Sequence, residues 1–335
     1  MKKWLFVGIL TALSIVLAAC GKDSGTAASG EEDNVINYQV YRSVLNPVDL
    51  AVELGYLDGI KMNGVGDYKG GTESIQLVGT GEVDVGWAFN GALIKAQSKN
   101  VDLVSVLGNY GSDEVTNVSI YVLEDSSIKE PKDFIGKKVG VNILGAHADI
   151  IMQDYLAKGG LTSEEIAKVQ LVVIPTPNAE QALRAGQLDA AMFMGASEDL
   201  AIARGGVREV FNDVDVIGKS FTAGNYFFSQ KFVDEKPELV KKFTEGIAKT
   251  IEWSKETPQE EVIATMEKII KERNPNESTE NLKYWKSFGV ATEGGIIQDE
   301  DIQIWIDWLE NNGEIEKGSI KASDIYTNEF NPYAK

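Results

Sequence analysis

Short buried runs alternate along this chain with longer stretches that are apolar on one side only, and the alternation is laid down twice. In the first copy Thr72 is placed to cap a helix that stops at residues 79–81, residues 83–87 form a buried strand, and a new helix starts after Asn90 and Gly91. In the second copy Asn178 takes the cap, Gly186 the stop, residues 188–193 the strand, and Gly195-Ala196-Ser197 opens the next helix. The shared kernel is G-x-[VL]-D, at Gly81-Glu82-Val83-Asp84 and Gly186-Gln187-Leu188-Asp189. Each copy continues into a further strand, 101–107 and 207–211, and each is preceded by a strand, a loop and a helix: 35–41 with a helix ending at Gly55, and 138–143 with one ending at Gly159. Both therefore read strand, helix, strand, helix, strand, helix, strand, the alternation of a parallel sheet covered by helices on both faces.

Two crossings join the copies. Residues 117–123 form a strand followed by a polar break and a turn led by Pro131, and the return falls around residues 222–230, which include Asn225 and Tyr226. The expected lobes are 35–125 with 226–335, and 126–225. Beyond Phe232 the pattern is helical, with apolar stripes over 236–254, 258–272 and 299–312. Such stripes pack as core against lobe one, so Trp253, Trp305 and Trp308 are assigned no binding role.

At the start of the chain Lys2-Lys3 precedes an apolar run over 4–17 and then Leu17-Ala18-Ala19-Cys20, a secretory signal with small residues before a cysteine. This segment resembles a bacterial lipoprotein signal. The resemblance implies a signal peptide over 1–19 and lipidation of Cys20, the only cysteine, with anchoring on the outer face of the cell membrane. Residues 20–34 are small and acidic without apolar periodicity and read as a flexible tether. The whole chain has 32 Lys and Arg against 51 Asp and Glu; losing Lys2 and Lys3 with the signal takes the net charge from −19 to −21. Such a surface repels nucleic acid and anionic lipid.

The lipoprotein signal, YRSVLNPVDLAVELGYLDG, GGTESIQLVGTGEVDVGWAFNGALIKA, DFIGKKVGVNILGAHADIIMQDYLAKGGL and AEQALRAGQLDAAMF together resemble the substrate-binding lipoproteins of nitrate/sulfonate/taurine-type ATP-driven (ABC) importers. These are similar in turn to thiamine-precursor binding proteins. The resemblance spans residues 35–232 and implies an α/β, two-lobed periplasmic-binding-protein-like fold that closes on a small solute and presents it to a membrane permease. It implies no cofactor. The sulfonate-type pattern has an aromatic residue and Gln in the first-strand loop, where this chain has Tyr41-Arg42-Ser43. A pyrimidine of the thiamine-precursor kind, or a sensor read by a signalling partner, are the alternatives.

The candidate site follows from physics. Ligands of open parallel sheets bind beyond the carboxyl ends of the strands. The loops there contain Tyr41, Arg42 and Ser43; Gly71 and Thr72; Phe89 and Asn90; Ala146, His147 and Ala148; and Gly195. Several run into helix starts, where free N–H groups favour an anionic or strongly accepting group, and the small residues leave room for it. Arg42 is the cation placed to pair a sulfonate, carboxylate or nitrate, while His147, the only histidine, suits neutral hydrogen bonding at a positive helix end. Phe89 and Tyr226 are placed to stack on a ring, and Trp87, on the strand itself, reads as core. Catalysis is not expected: there is no G-x-S-x-G elbow or phosphate loop, and one His with a lipidated Cys cannot build a zinc site.

Overall fold

The computed structural model describes residues 34–41 and 45–335. The expected signal peptide, Cys20, all of the tether but its last residue, and Arg42 and Ser43 lie outside the described residues. Two five-stranded sheets are formed from β1 (Val35–Val40), β2 (Lys61–Asp67), β3 (Val85–Phe89), β4 (Leu103–Ser112), β5 (Val118–Leu123), β6 (Lys138–Val141), β7 (Gln170–Val173), β8 (Ala190–Met194), β9 (Val207–Asn212) and β10 (Phe221–Ser229). The orders are β2-β1-β3-β10-β4 and β7-β6-β8-β5-β9. These are the same order, so the sequence repeat is a repeat of topology. In each sheet the first strand of the copy lies between the second and third, parallel to both. A strand from the other half of the chain is inserted antiparallel beside the third.

That insertion makes both sheets mixed rather than parallel throughout. The strand Val118–Leu123, expected in the first lobe, pairs with β8 and β9, and Phe221–Ser229 pairs with β3 and β4. The chain thus changes sheets between Ser112 and Val118 and again between Asn212 and Phe221.

The G-x-[VL]-D kernel has one structural task in both copies. Helix Gly71–Thr80 ends at Gly81 with φ 75°, and Gly186, just past helix Thr176–Arg184, has φ 68°; an added Cβ would meet nothing within 4 Å at either, so the left-handed backbone is what calls for glycine. The aspartate then fastens the third strand to the first. Asn37 donates through its backbone N (2.7 Å) and Nδ2 (2.9 Å) to Asp84 Oδ2, and Lys138 N donates to Asp189 Oδ2 (2.8 Å). The aspartate N–H groups return the bond to Asn37 O and Lys138 O, each at 2.9 Å.

Element starts differ from the sequence reading. Gly70, with φ 148°, holds the N-cap expected of Thr72, and Pro175 holds that expected of Asn178. Val83 and Leu188 are buried as their apolar character requires, but they lie in the turns before the ladders, so β3 and β8 begin two residues later. Among the C-terminal helices, Pro237–Glu256 buries Leu239, Phe243, Ile247 and Ile251 with Tyr226 and Phe228 of the first sheet. Helix Asp299–Asn311 does something else: Trp305, 1% exposed, touches Phe89 and Phe221 of the first sheet and His147 of the second half. It packs at the junction of the halves, not against lobe one alone. No helix among the described residues is long and apolar enough to cross a membrane.

Candidate functional site

The loops beyond the strand ends of the two sheets face each other. A Cβ on Gly70, after β2, would lie 3.9 Å from Ile143 Cδ1, after β6, and Ile143 and Leu144 are exposed at that lip. On the first lobe's side, four aromatic residues on or directly after four strands form a wall. Tyr68 stacks on Trp87 (centroids 3.9 Å apart, planes at 13°), Tyr41 meets both edge-on at 5.5 and 5.8 Å, and Tyr110 stands edge-on to Trp87 at 6.0 Å. Burial pushes the hydroxyl pKa of Tyr41, Tyr68 and Tyr110 up, so all three stay neutral and offer hydrogen bonds without charge.

Beneath the wall the first sheet splits. β1 and β3 pair only at Tyr38 and Val85 and then diverge. Helix Pro47–Glu53 and helix Gly71–Thr80 feed separate cores, the first with Tyr226 and the second with Phe227, neighbours on β10 that point to opposite faces. This is a topological switch point, where open α/β sheets place their ligands. A small cavity sits in the fork, with Gln39, Asn46, Ser74, Trp87 and Tyr226 among its lining. A larger one, about 670 Å³, opens between the sides of helix His147–Lys158 and helix Asp299–Asn311, away from the strand ends. Its polar lining is partly self-satisfied, Asp154 and Lys158 pairing at 2.8 Å.

The helix starts are not equivalent electrostatically. In helix His147–Lys158, Asp149 Oδ2 accepts from Gly145 N (2.7 Å), so a carboxylate of the chain already occupies that positive end. In helix Gly195–Arg204 the first-turn Glu198 is buried and accepts from Tyr121 Oη (3.0 Å); burial first, and Glu209 and Asp199 after it, outweigh its hydrogen bonds from Ser119 and Tyr121 and push its pKa up to about 7. The folded protein therefore keeps a proton that the unfolded chain releases near 4.5. Its stabilising contribution is full below that pH and is lost as pH rises through about 7, amounting to on the order of 3 kcal/mol. Glu198→Gln should accordingly be more stable than the parent at pH 8 and lose that advantage by pH 4.5, as read from urea midpoints at both. Helix Gly71–Thr80 has Gly70 as its cap residue and, like helix Asn90–Gln97, no side chain on its first N–H groups; Glu73 in the first turn pairs outward with Lys69 at 3.4 Å.

Residues 46–261 match the NMT1/THI5-like family. The chain belongs to this family. A protein of Bacillus subtilis (strain 168) named "Putative aliphatic sulfonates-binding protein" is 25% identical over 265 residues, 76% of this chain and 75% of the relative. Among solved structures, the periplasmic aliphatic sulphonate binding protein SsuA from Escherichia coli superposes with a TM-score of 0.66 at 17% identity, covering 87% of this chain and 91% of that one. The periplasmic nitrate-binding protein NrtA from Synechocystis PCC 6803 also gives 0.66, at 11% identity over 89% and 87%. The two-lobed periplasmic-binding-protein fold is thus the fold of this NMT1/THI5-like chain.

The residues expected at the site divide into two groups. Tyr41 is in the wall, and Thr72 lies half-buried in the first turn of the free helix start. Gly71 packs closely, since a Cβ there would come 2.8 Å from Ala88 Cβ. Ala146 caps helix His147–Lys158, Ala148 is buried, and Gly195, with φ 51°, opens its helix in a conformation suited to glycine. Phe89 is 6% exposed and its ring is used by His147 (stacked, 5.9 Å) and Trp305 (edge-on, 4.7 Å). Asn90 is buried, donating to Thr222 O at 3.0 Å. His147 is buried at the junction, its Nε2 2.9 Å from Asp213 Oδ2 without the alignment of a hydrogen bond. Asn225 is buried on β10, and Tyr226, 2% exposed, packs edge-on to Phe243. The expected stacking pair Phe89 and Tyr226 therefore does not face the cleft, whereas Trp87, read as core, is only half-buried. Tyr68 and Tyr110 were missed. The strand expected over 101–107 runs on to Ser112 and so carries Tyr110, Tyr68 follows β2 directly, and what brings them together is the sheet order.

Proposed function

We propose that this NMT1/THI5-like protein is the solute-binding component of an ABC importer, holding a small organic acid of the sulfonate type between its lobes and delivering it to a membrane permease. The observation that carries the reading is the neutral aromatic wall of Tyr41, Tyr68, Trp87 and Tyr110 at the switch point, beside the start of helix Gly71–Thr80, whose first N–H groups no side chain caps. The wall takes the carbon body, and the N–H groups after Gly70, with Arg42, take the acidic head. The lobes follow the sheets, 34–112 with 221–335 and 118–212, and hinge at the two crossings. Lipidation of Cys20 holds the protein on the outer face of the cell membrane; Cys20→Ala should release it to the soluble fraction or leave the signal uncleaved, and unchanged retention by a non-lipidated chain sinks the anchor.

A thermal-shift panel of sulfonates, nitrate, carboxylates, pyrimidines and amines tests the solute class, because specific binding stabilises by about 2.7 kcal/mol at a hundredfold excess over Kd. Organic acids should raise the midpoint, and Arg42→Ala should weaken the best of them by about 1.5 to 3 kcal/mol, on the order of ten- to hundredfold. The wall also suits a planar ring. Stabilisation by pyrimidines alone, with Arg42→Ala unchanged, would replace the acid with such a ring.

A further inference from the structure

The cavity in the fork between β1 and β3 is lined by four buried polar atoms that have no hydrogen-bond partner: Gln39 Oε1, Ser74 Oγ, Trp87 Nε1 and Tyr226 Oη. Leaving such atoms unpaired is costly, and four around one space mark a place built to receive a polar group. Their chemistry is specific. The amide oxygen only accepts, the indole N–H only donates, and the two hydroxyls do either. The space for the centre of a water-sized group is about 10 Å³, room for a single oxygen or nitrogen. Tyr68 and Trp87 line this cavity and also form the aromatic wall, so wall and cavity are continuous. Ser74 lies one helical turn beyond Gly71, about 4.5 Å along the axis from the uncapped helix start.

We propose that this cavity is a subsite for one hydroxyl group, carried by the solute at the end opposite its acidic head. The inference rests on the reading of the cleft as an organic-acid site and names the class more narrowly: a short hydroxy-substituted acid. A hydroxyl accepts from Trp87 Nε1 while donating to Gln39 Oε1, and its second lone pair meets Ser74 or Tyr226. An ammonium group has nothing to offer the indole N–H, and no carboxylate lines the cavity to balance its charge.

Calorimetric titration of the full-length protein with ethanesulfonate, 2-hydroxyethanesulfonate and 2-aminoethanesulfonate tests this. The hydroxy compound should bind at least about tenfold more tightly than the unsubstituted one, with the amino compound no better than ethanesulfonate. Tyr226→Phe and, separately, Ser74→Ala should each shrink that ratio. Equal affinities for all three would overturn the subsite and leave the acid site standing, as would a preference that survives both substitutions. If none of the three acids binds, the acid reading and the subsite are overturned together.

Discussion

Replacing Asp213 with alanine should lower stability by about 3 to 5 kcal/mol, on the order of 10 °C in the unfolding midpoint for a chain of this size. Asp213 is fully buried and opens the second crossing between the sheets. Its carboxylate accepts from Ser112 Oγ (2.5 Å) and Val118 N (3.2 Å), the two ends of the first crossing, and stands 2.9 Å from His147 Nε2. One side chain therefore ties both crossings together and lies against His147 at the start of a helix in the second lobe. Removing it leaves a buried hydroxyl and a buried N–H unpaired, and each of those carries its own desolvation cost. Asp213→Asn keeps an oxygen acceptor and should lose less. A midpoint within about 2 °C of the parent for Asp213→Ala would show that the crossings do not depend on this carboxylate.

Trp87→Ala should cost solute binding about 2 to 4 kcal/mol, roughly thirty- to several-hundredfold in Kd, with the best acid from the panel. Trp87 is the centre of the wall: it stacks on Tyr68 and meets Tyr41 and Tyr110 edge-on. Truncation removes the stacked face and lets Tyr68 and Tyr110 relax, so the effect should exceed that of Tyr41→Ala, which takes away only one edge contact with each neighbour. Titrations of both variants decide it. If Trp87→Ala binds within about threefold of the parent, the solute does not use this wall.

Much of the architecture could be read from the chain because its cause is local. Helix stops at Gly81 and Gly186 require a left-handed backbone, and the aspartate three residues on has a fixed task in each copy, so the repeated kernel carried the alternation of helices and strands with it. Helix starts were read less well. A run such as Gly70-Gly71-Thr72 offers a good side-chain cap at Thr72, yet glycine at Gly70 reaches a φ of 148° that lets the helix begin earlier. The exchange of β5 and β10 between sheets has no local signature, because an antiparallel strand buried on both faces has the same apolar composition as a parallel one. The site suffered most from this. Tyr41 and Tyr68 directly follow β1 and β2, Trp87 and Tyr110 lie on β3 and β4, and only the order β2-β1-β3-β10-β4 gathers them. Phe89 and Tyr226 looked equally eligible in sequence, but their side chains fall on buried faces against Trp305 and Phe243. Loop position alone did not distinguish a binding helix start from one filled by its own Asp149.

The most direct test of the cleft as the binding site is a diffraction structure of the protein with the panel acid that stabilises it most. That acid should lie between the lobes, its body against Tyr68 and Trp87 and its acidic head within hydrogen-bond reach of the first N–H groups of helix Gly71–Thr80. Density for it instead between helix His147–Lys158 and helix Asp299–Asn311, with the aromatic wall untouched, would show that the cleft is not the binding site.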